Sequence, residues 1–149
     1  MPVQAPDLTK RSPRSPRVRL GGYAILPRML DKGRASIAGL VGDYHYNCPL
    51  DQQFTSFVGI DASELQKQLA EGKGDGEILD WINATATNKH SPAEIALWSA
   101  HQDQRGPTDL DSRKFFNEFH GQVAPNRTDV ATWFDILDID DHVSFGGKV

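Results

Sequence analysis

The chain of 149 residues contains one cysteine, Cys48, so it has no intramolecular disulfide framework and no Cys-rich zinc site. That scarcity fits a reducing cytoplasm. It also lacks any long apolar run. None approaches the ~20 residues that a bilayer crossing needs, which excludes a helical membrane protein. No charged-then-apolar leader opens it: Arg11, Arg14, Arg17 and Arg19 interrupt the first thirty residues, and Pro2, Pro6, Pro13 and Pro16 break any early helix. Metal signatures are missing too. The histidines His45, His90, His101, His120 and His142 include no pair at i, i+4, and neither H-E-x-x-H nor Glu-x-x-His occurs. Asp138-Ile139-Asp140-Asp141-His142 is rich in oxygen donors but has no EF-hand glycine or distal glutamate. It reads as a solvated acidic helix end, so no metal and no cofactor is assigned. No nucleophile elbow is present, and Gly72-Lys73-Gly74-Asp75-Gly76 lacks the ending of a phosphate-binding loop.

What is present is charge, unevenly spread over a formal net of -4. Lys10, Arg11, Arg14, Arg17, Arg19, Arg28, Lys32 and Arg34 face only Asp7 and Asp31 in the first 34 residues. Asp129, Asp135, Asp138, Asp140 and Asp141 crowd residues 129–142, where no Lys or Arg occurs. A basic arm binds phosphates in principle. A pI near 5.7, the absence of interleaved aromatics and the lack of a reader motif count against nucleic acid. Pairing of the arginines with the acidic C-terminal stretch, or with one another's neighbours on the folded surface, is the preferred reading, ahead of a bound anion.

The pattern predicts an all-α domain of five to seven helices, with room for one short hairpin near residues 40–48. Residues 1–22 read as an irregular basic arm, 23–142 as a single helical domain and 143–149 as a tail. Leu26, Met29, Leu30, Gly33, Ile37 and Leu40 make one apolar face, with Pro27 tolerable in the first turn. Arg28, Asp31, Lys32 and Ser36 fall on the opposite face. A short helix is expected near Asp51, followed by helices capped by Asp61, Asp75, Ser91 and Asp109 or Asp111. Ser91-Pro92-Ala93-Glu94 is the strongest start signal. Asp129 is expected to open a last helix carrying Val130, Trp133, Phe134 and Leu137.

Three segments carry a resemblance: Leu20 to Ala35, Gly42-Asp43-Tyr44-His45-Tyr46, and Thr132 to Asp138. Together they resemble an uncharacterised bacterial domain-of-unknown-function family, number 5069, across nearly the whole chain. The resemblance implies a small cytoplasmic domain and supplies no activity, cofactor or catalytic residue. Functional candidates come from the residues themselves. Arg17, Arg28, Asp31, Lys32, Arg34, Tyr44 and Tyr46 are candidates for binding a small anionic molecule. His45 and Asp135 are the candidate proton carriers. The expected site is a cleft between the first helix, the Tyr44–Cys48 segment and the last helix; whether the ligand is also turned over is left open. Cys48 reads as a small buried filler in preference to a nucleophile paired with His45. The alternative is a non-enzymatic interaction module or homodimeric adaptor using the arm or the rings of Phe115, Phe116 and Phe119.

Overall fold

A computed structural model describes residues 3–149; Met1 and Pro2, the start of the expected arm, lie outside the described residues. Seven helices follow in order: α1 (Leu26–Ile37), α2 (Pro49–Val58), α3 (Ala62–Ala70), α4 (Asp75–Thr85), α5 (Pro92–Gln104), α6 (Leu110–Val123) and α7 (Trp133–Ser144). Among the described residues there is no strand. Residues 40–48, where a hairpin was allowed, form turns, and the one isolated bridge joins Leu20 to Tyr23. Among the described residues no helix is long and apolar enough to cross a membrane.

Local chemistry sets most helix starts. The Asp61 side chain accepts from Ser63 N–H at 2.7 Å, and Ser91 and Glu94 close a capping box around Pro92. Three starts differ from the sequence reading. α4 is capped by Gly74, and Asp75, expected as the cap, is its first helical residue, paired with Arg14 and Arg34. α2 opens at Pro49 with Cys48 as its cap, two residues before Asp51, because proline suits the first helical position. α7 opens at Trp133, not at Asp129. Thr132 accepts from Asp135 N–H at 3.1 Å, while Asp129 is tied up with Arg127.

α1 is the axis of the molecule. Every residue from Leu26 to Ala35 is buried. Leu26, Met29 and Leu30 join Phe54, Val58, Leu65, Leu69, Ile78, Ile82 and Phe134 in the main core. Each such side chain contributes about 1.5–3 kcal/mol through removal from water. Gly33 lets α3 close in: a Cβ there would stand 2.6 Å from Leu69 Cδ1 and 3.0 Å from Tyr46 Cε1. A second cluster of Phe116, Val130 and Ile136 holds α6 on α7.

The arm packs onto α1 instead of running free. Leu8 is buried, and its N–H donates to Leu40 O at 2.9 Å. Pro16 O accepts from Ile25 N–H at 2.9 Å, and Ile25 caps α1 at a φ of 73°. That left-handed conformation is costly for a β-branched residue, and the arm helps to hold it.

Candidate functional site

Because helical neighbours at i and i+4 share a face, Arg28 and Lys32 emerge together on one side of α1. Asp31 and Arg34 emerge on another. The sequence reading sets Arg28, Asp31 and Lys32 opposite the apolar stripe; in the fold all four charges are covered, Arg28 and Lys32 being 3% exposed and Asp31 and Arg34 9%. A buried charge must be paired or it becomes strongly unfavourable. Each of the four is paired.

Arg28 forks onto Asp141 of α7, with Nη1 to Oδ2 at 2.7 Å and Nη2 to Oδ1 at 3.2 Å. Its Nη1 also donates to Arg14 O at 3.2 Å. The Tyr44 hydroxyl donates to Asp141 Oδ1 at 2.8 Å, and the Arg28 guanidinium lies 5.5 Å from the centre of the Tyr44 ring. Burial works against the Arg28 charge, but the Asp141 hydrogen bonds and charge prevail and hold its pKa above the usual value. Burial, then the Asp141 carboxylate, pushes the Tyr44 phenol well up, so it stays protonated as a donor. Lys32 donates to the fully buried Asp51 Oδ2 at 2.9 Å and contacts Cys48 Sγ at 3.2 Å. Asn47 N–H also donates to Asp51 Oδ2, at 2.9 Å, whereas Asp51 Oδ1 has no hydrogen-bond partner.

Between this face of α1, residues 42–48 and α7 lies a cleft of about 620 Å³. Arg28, Lys32, Tyr44, His45 and Cys48 line it, with Asp43 and Asp140 adding carboxylates. Leu8, Leu50, Phe119, Leu137 and Phe145 supply apolar wall. Burial, and then the neighbouring Asp141, raises the Asp140 carboxyl above its ordinary pKa. His45 is exposed, and Cys48 is half-buried.

The remaining candidates lie elsewhere. Asp31 takes Arg14 N–H, Nε and Nη2 at 2.9, 3.1 and 3.0 Å. Arg34 donates to Asp75 at 2.8 Å and to Lys73 O at 3.2 Å. Those two line a second, more polar cleft of about 690 Å³ with Arg11, Ser12 and Arg14. Tyr46 packs by Gly33, and its hydroxyl donates to Ala62 O at 2.6 Å. Asp135 is not among the lining residues of either cleft. It sits in the first turn of α7, accepts from Ala131 and Thr132 N–H at 3.0 Å, and meets Arg17 at 2.5 Å. Arg17 also holds Asp138, at 3.0 Å, and lies over the Phe134 ring. Of the three aromatic residues named for a docking patch, Phe116 is buried and Phe119 partly covered, which leaves Phe115 exposed. Among the described residues, no three His, Cys, Asp or Glu side chains gather as for a metal ion.

Several residues of this site escape the sequence reading, Asp43 of the lining among them. Asp141 falls four positions after Leu137 and so continues the inward stripe, a periodicity that the polar run disguises. Asp140 is its neighbour at the cleft. Asp51 reads as a helix start because Pro49 is not given its position-one meaning.

The arm is fastened by arginine–aspartate pairs: Arg14 to Asp31 and Asp75, Arg17 to Asp135 and Asp138, and Arg19 to Asp103. Arg14 hydrogen bonding lowers the Asp75 pKa against the effect of burial. For Asp135, burial pushes upward, but backbone N–H donors and Arg17 win and lower it. A carboxyl depressed in the folded state stabilises the fold above its unfolded pKa and loses that effect as pH falls through the folded value. The arm is therefore expected to loosen below about pH 4. Limited proteolysis at Arg11–Arg19, using a protease active in acid, should accelerate there before far-UV circular dichroism changes. Unchanged arm protection down to global unfolding would refute this.

A family model described as a domain of unknown function, DUF5069, matches residues 10–143. No curated protein matches the chain.

Proposed function

We propose, from the premise that the chain belongs to the DUF5069 family of unknown function, that it binds a small anionic molecule in the cleft between α1, residues 42–48 and α7. One observation carries the reading. Arg28, Lys32, Tyr44 and His45, drawn from α1 and the loop after it, line one concavity of about 620 Å³ together with residues of α7. That volume is within the range of small-ligand sites, and apolar walls with a few converging polar groups are their usual composition. Lys32 is the anchor, a nearly buried ammonium that lines the cleft. His45 stands exposed on the same lining and is the group available to exchange protons with solvent; Asp140 takes the place that the sequence reading gave to Asp135. The Cys48 thiol, held by Lys32 and not by a disulfide, is in keeping with a reducing compartment such as the cytoplasm. The adaptor reading has less behind it, since the arm is docked and Phe116 is covered.

Cys48 is also a built-in reporter, being the chain's one thiol and a lining residue. A thermal-shift panel of phosphates, carboxylates and divalent ions should yield compounds that raise Tm, because a ligand selective for the folded state stabilises it. The same compounds should slow alkylation of Cys48. Ser144→Trp, at an exposed lining position, should weaken both effects at least tenfold. A panel that raises Tm without protecting Cys48 would place binding elsewhere, and a panel with no effect on either would end the reading.

A further inference from the structure

The lining of this cleft is divided by chemistry, and the division bears on which anion it takes. Arg28 spends three of its five N–H donors on strong oxygen acceptors: Nη1 serves Asp141 and Arg14 O, and Nη2 serves Asp141. Asp43 and Asp140 place negative charge on the same lining, where a multiply charged phosphate or polycarboxylate would meet more repulsion than a single carboxylate. Lys32 differs. Its ammonium has three N–H donors; Asp51 takes one, and a second is given to Cys48 sulfur, a weak acceptor that a carboxylate outcompetes. The rest of the wall is aliphatic and aromatic: Leu8, Leu50, Phe119, Leu137 and Phe145.

Resting on the cleft reading above, we propose that the ligand is an amphipathic monocarboxylate. Its single carboxylate head sits on the Lys32 ammonium beside Cys48, and its hydrocarbon body lies against Leu8, Leu50, Phe119, Leu137 and Phe145. No bond is made or broken in this step. The head displaces a sulfur contact, and the body leaves water.

The test uses the full chain, titration calorimetry and the Cys48 alkylation rate, with butanoate, hexanoate, octanoate, 1-octanol, citrate and inorganic phosphate at constant ionic strength. Affinity is expected to climb by up to about fourfold per added methylene until the wall is covered. Octanol should bind at least tenfold more weakly than octanoate, and neither citrate nor phosphate should protect Cys48. Leu137→Ser should weaken octanoate while leaving butanoate unchanged, a difference that general destabilisation does not produce. Lys32→Met paired with Asp51→Leu removes the anchor without stranding a buried carboxylate, and it should abolish the preference for octanoate over octanol. If citrate or phosphate protects Cys48 and octanoate does not, the amphipathic class is wrong while the cleft remains a binding site. Equal binding of octanol and octanoate would overturn the carboxylate head alone. If none of the compounds protects Cys48, and the wider panel also fails, both readings fall together.

Discussion

Lys32→Met is expected to destabilise the protein by about 3–5 kcal/mol, the usual penalty for removing one partner of a buried ion pair. Asp51 is fully buried, and its Oδ1 already has no hydrogen-bond partner. Without Lys32 its carboxylate keeps only the N–H of Asn47 on Oδ2. The penalty is chiefly that of a stranded charge, so it should largely disappear in Lys32→Met combined with Asp51→Leu, which replaces the pair by apolar volume. Urea unfolding of the two single variants and the double variant gives the coupling directly. Single variants that unfold within about 0.5 kcal/mol of the parent would mean that water reaches Asp51 and that the pair is not sealed.

Arg28→Met should destabilise by a comparable amount, about 3–5 kcal/mol, for a related but wider reason. It strands Asp141, which is 7% exposed, and leaves the Tyr44 hydroxyl as that carboxylate's remaining side-chain donor. It also removes a donor from Arg14 O, one of the points at which the arm is fixed. Because Tyr44 lines the cleft and rests on this guanidinium, Cys48 alkylation should accelerate in the folded variant, well below the urea midpoint. Arg17→Ala is the contrast. Its pairs with Asp135 and Asp138 are about one-third exposed on both sides, and such pairs contribute about 0–1 kcal/mol. Equal losses for Arg28 and Arg17 would show that burial does not govern these pairs.

The helical architecture could be read from periodicity and punctuation. Leu26, Met29 and Leu30 mark α1, and Ser91-Pro92-Ala93-Glu94 marks α5, because these are local effects in which a side chain caps or flanks its own helix. The pairing of arginines with C-terminal aspartates was also foreseeable as a matter of charge. Which arginine meets which aspartate was not. Arg28 and Arg17 look equivalent along the chain, yet one is sealed against Asp141 and the other half-open on Asp135 and Asp138. That choice depends on the rotation of α1 against α7, a tertiary quantity. Nothing local announces that the polar face of α1, set opposite its apolar stripe, is covered by the arm, Asp51 and α7. Ile25 is a similar case: a β-branched residue at positive φ is imposed by packing and contradicts its own preference. The three segments that carry the family resemblance include seven of the residues that line the cleft, Arg28, Lys32, Gly42, Asp43, Tyr44, His45 and Leu137, but resemblance gave them no roles.

The closure of Asp141 over Arg28 spans 113 residues of chain, and that of Asp138 over Ser15 spans 123. On a ribosome, the early segment is synthesised long before its counter-charges exist. Until α7 emerges, Arg28 and Arg17 have no partner carboxylates, although Arg14 and Arg19 already have Asp31, Asp75 and Asp103, so the last helix acts as the latch of assembly. A nascent chain arrested before Trp133 should thus remain protease-sensitive and attract holding chaperones, whereas a few residues lost beyond Ser144 should leave the latch intact.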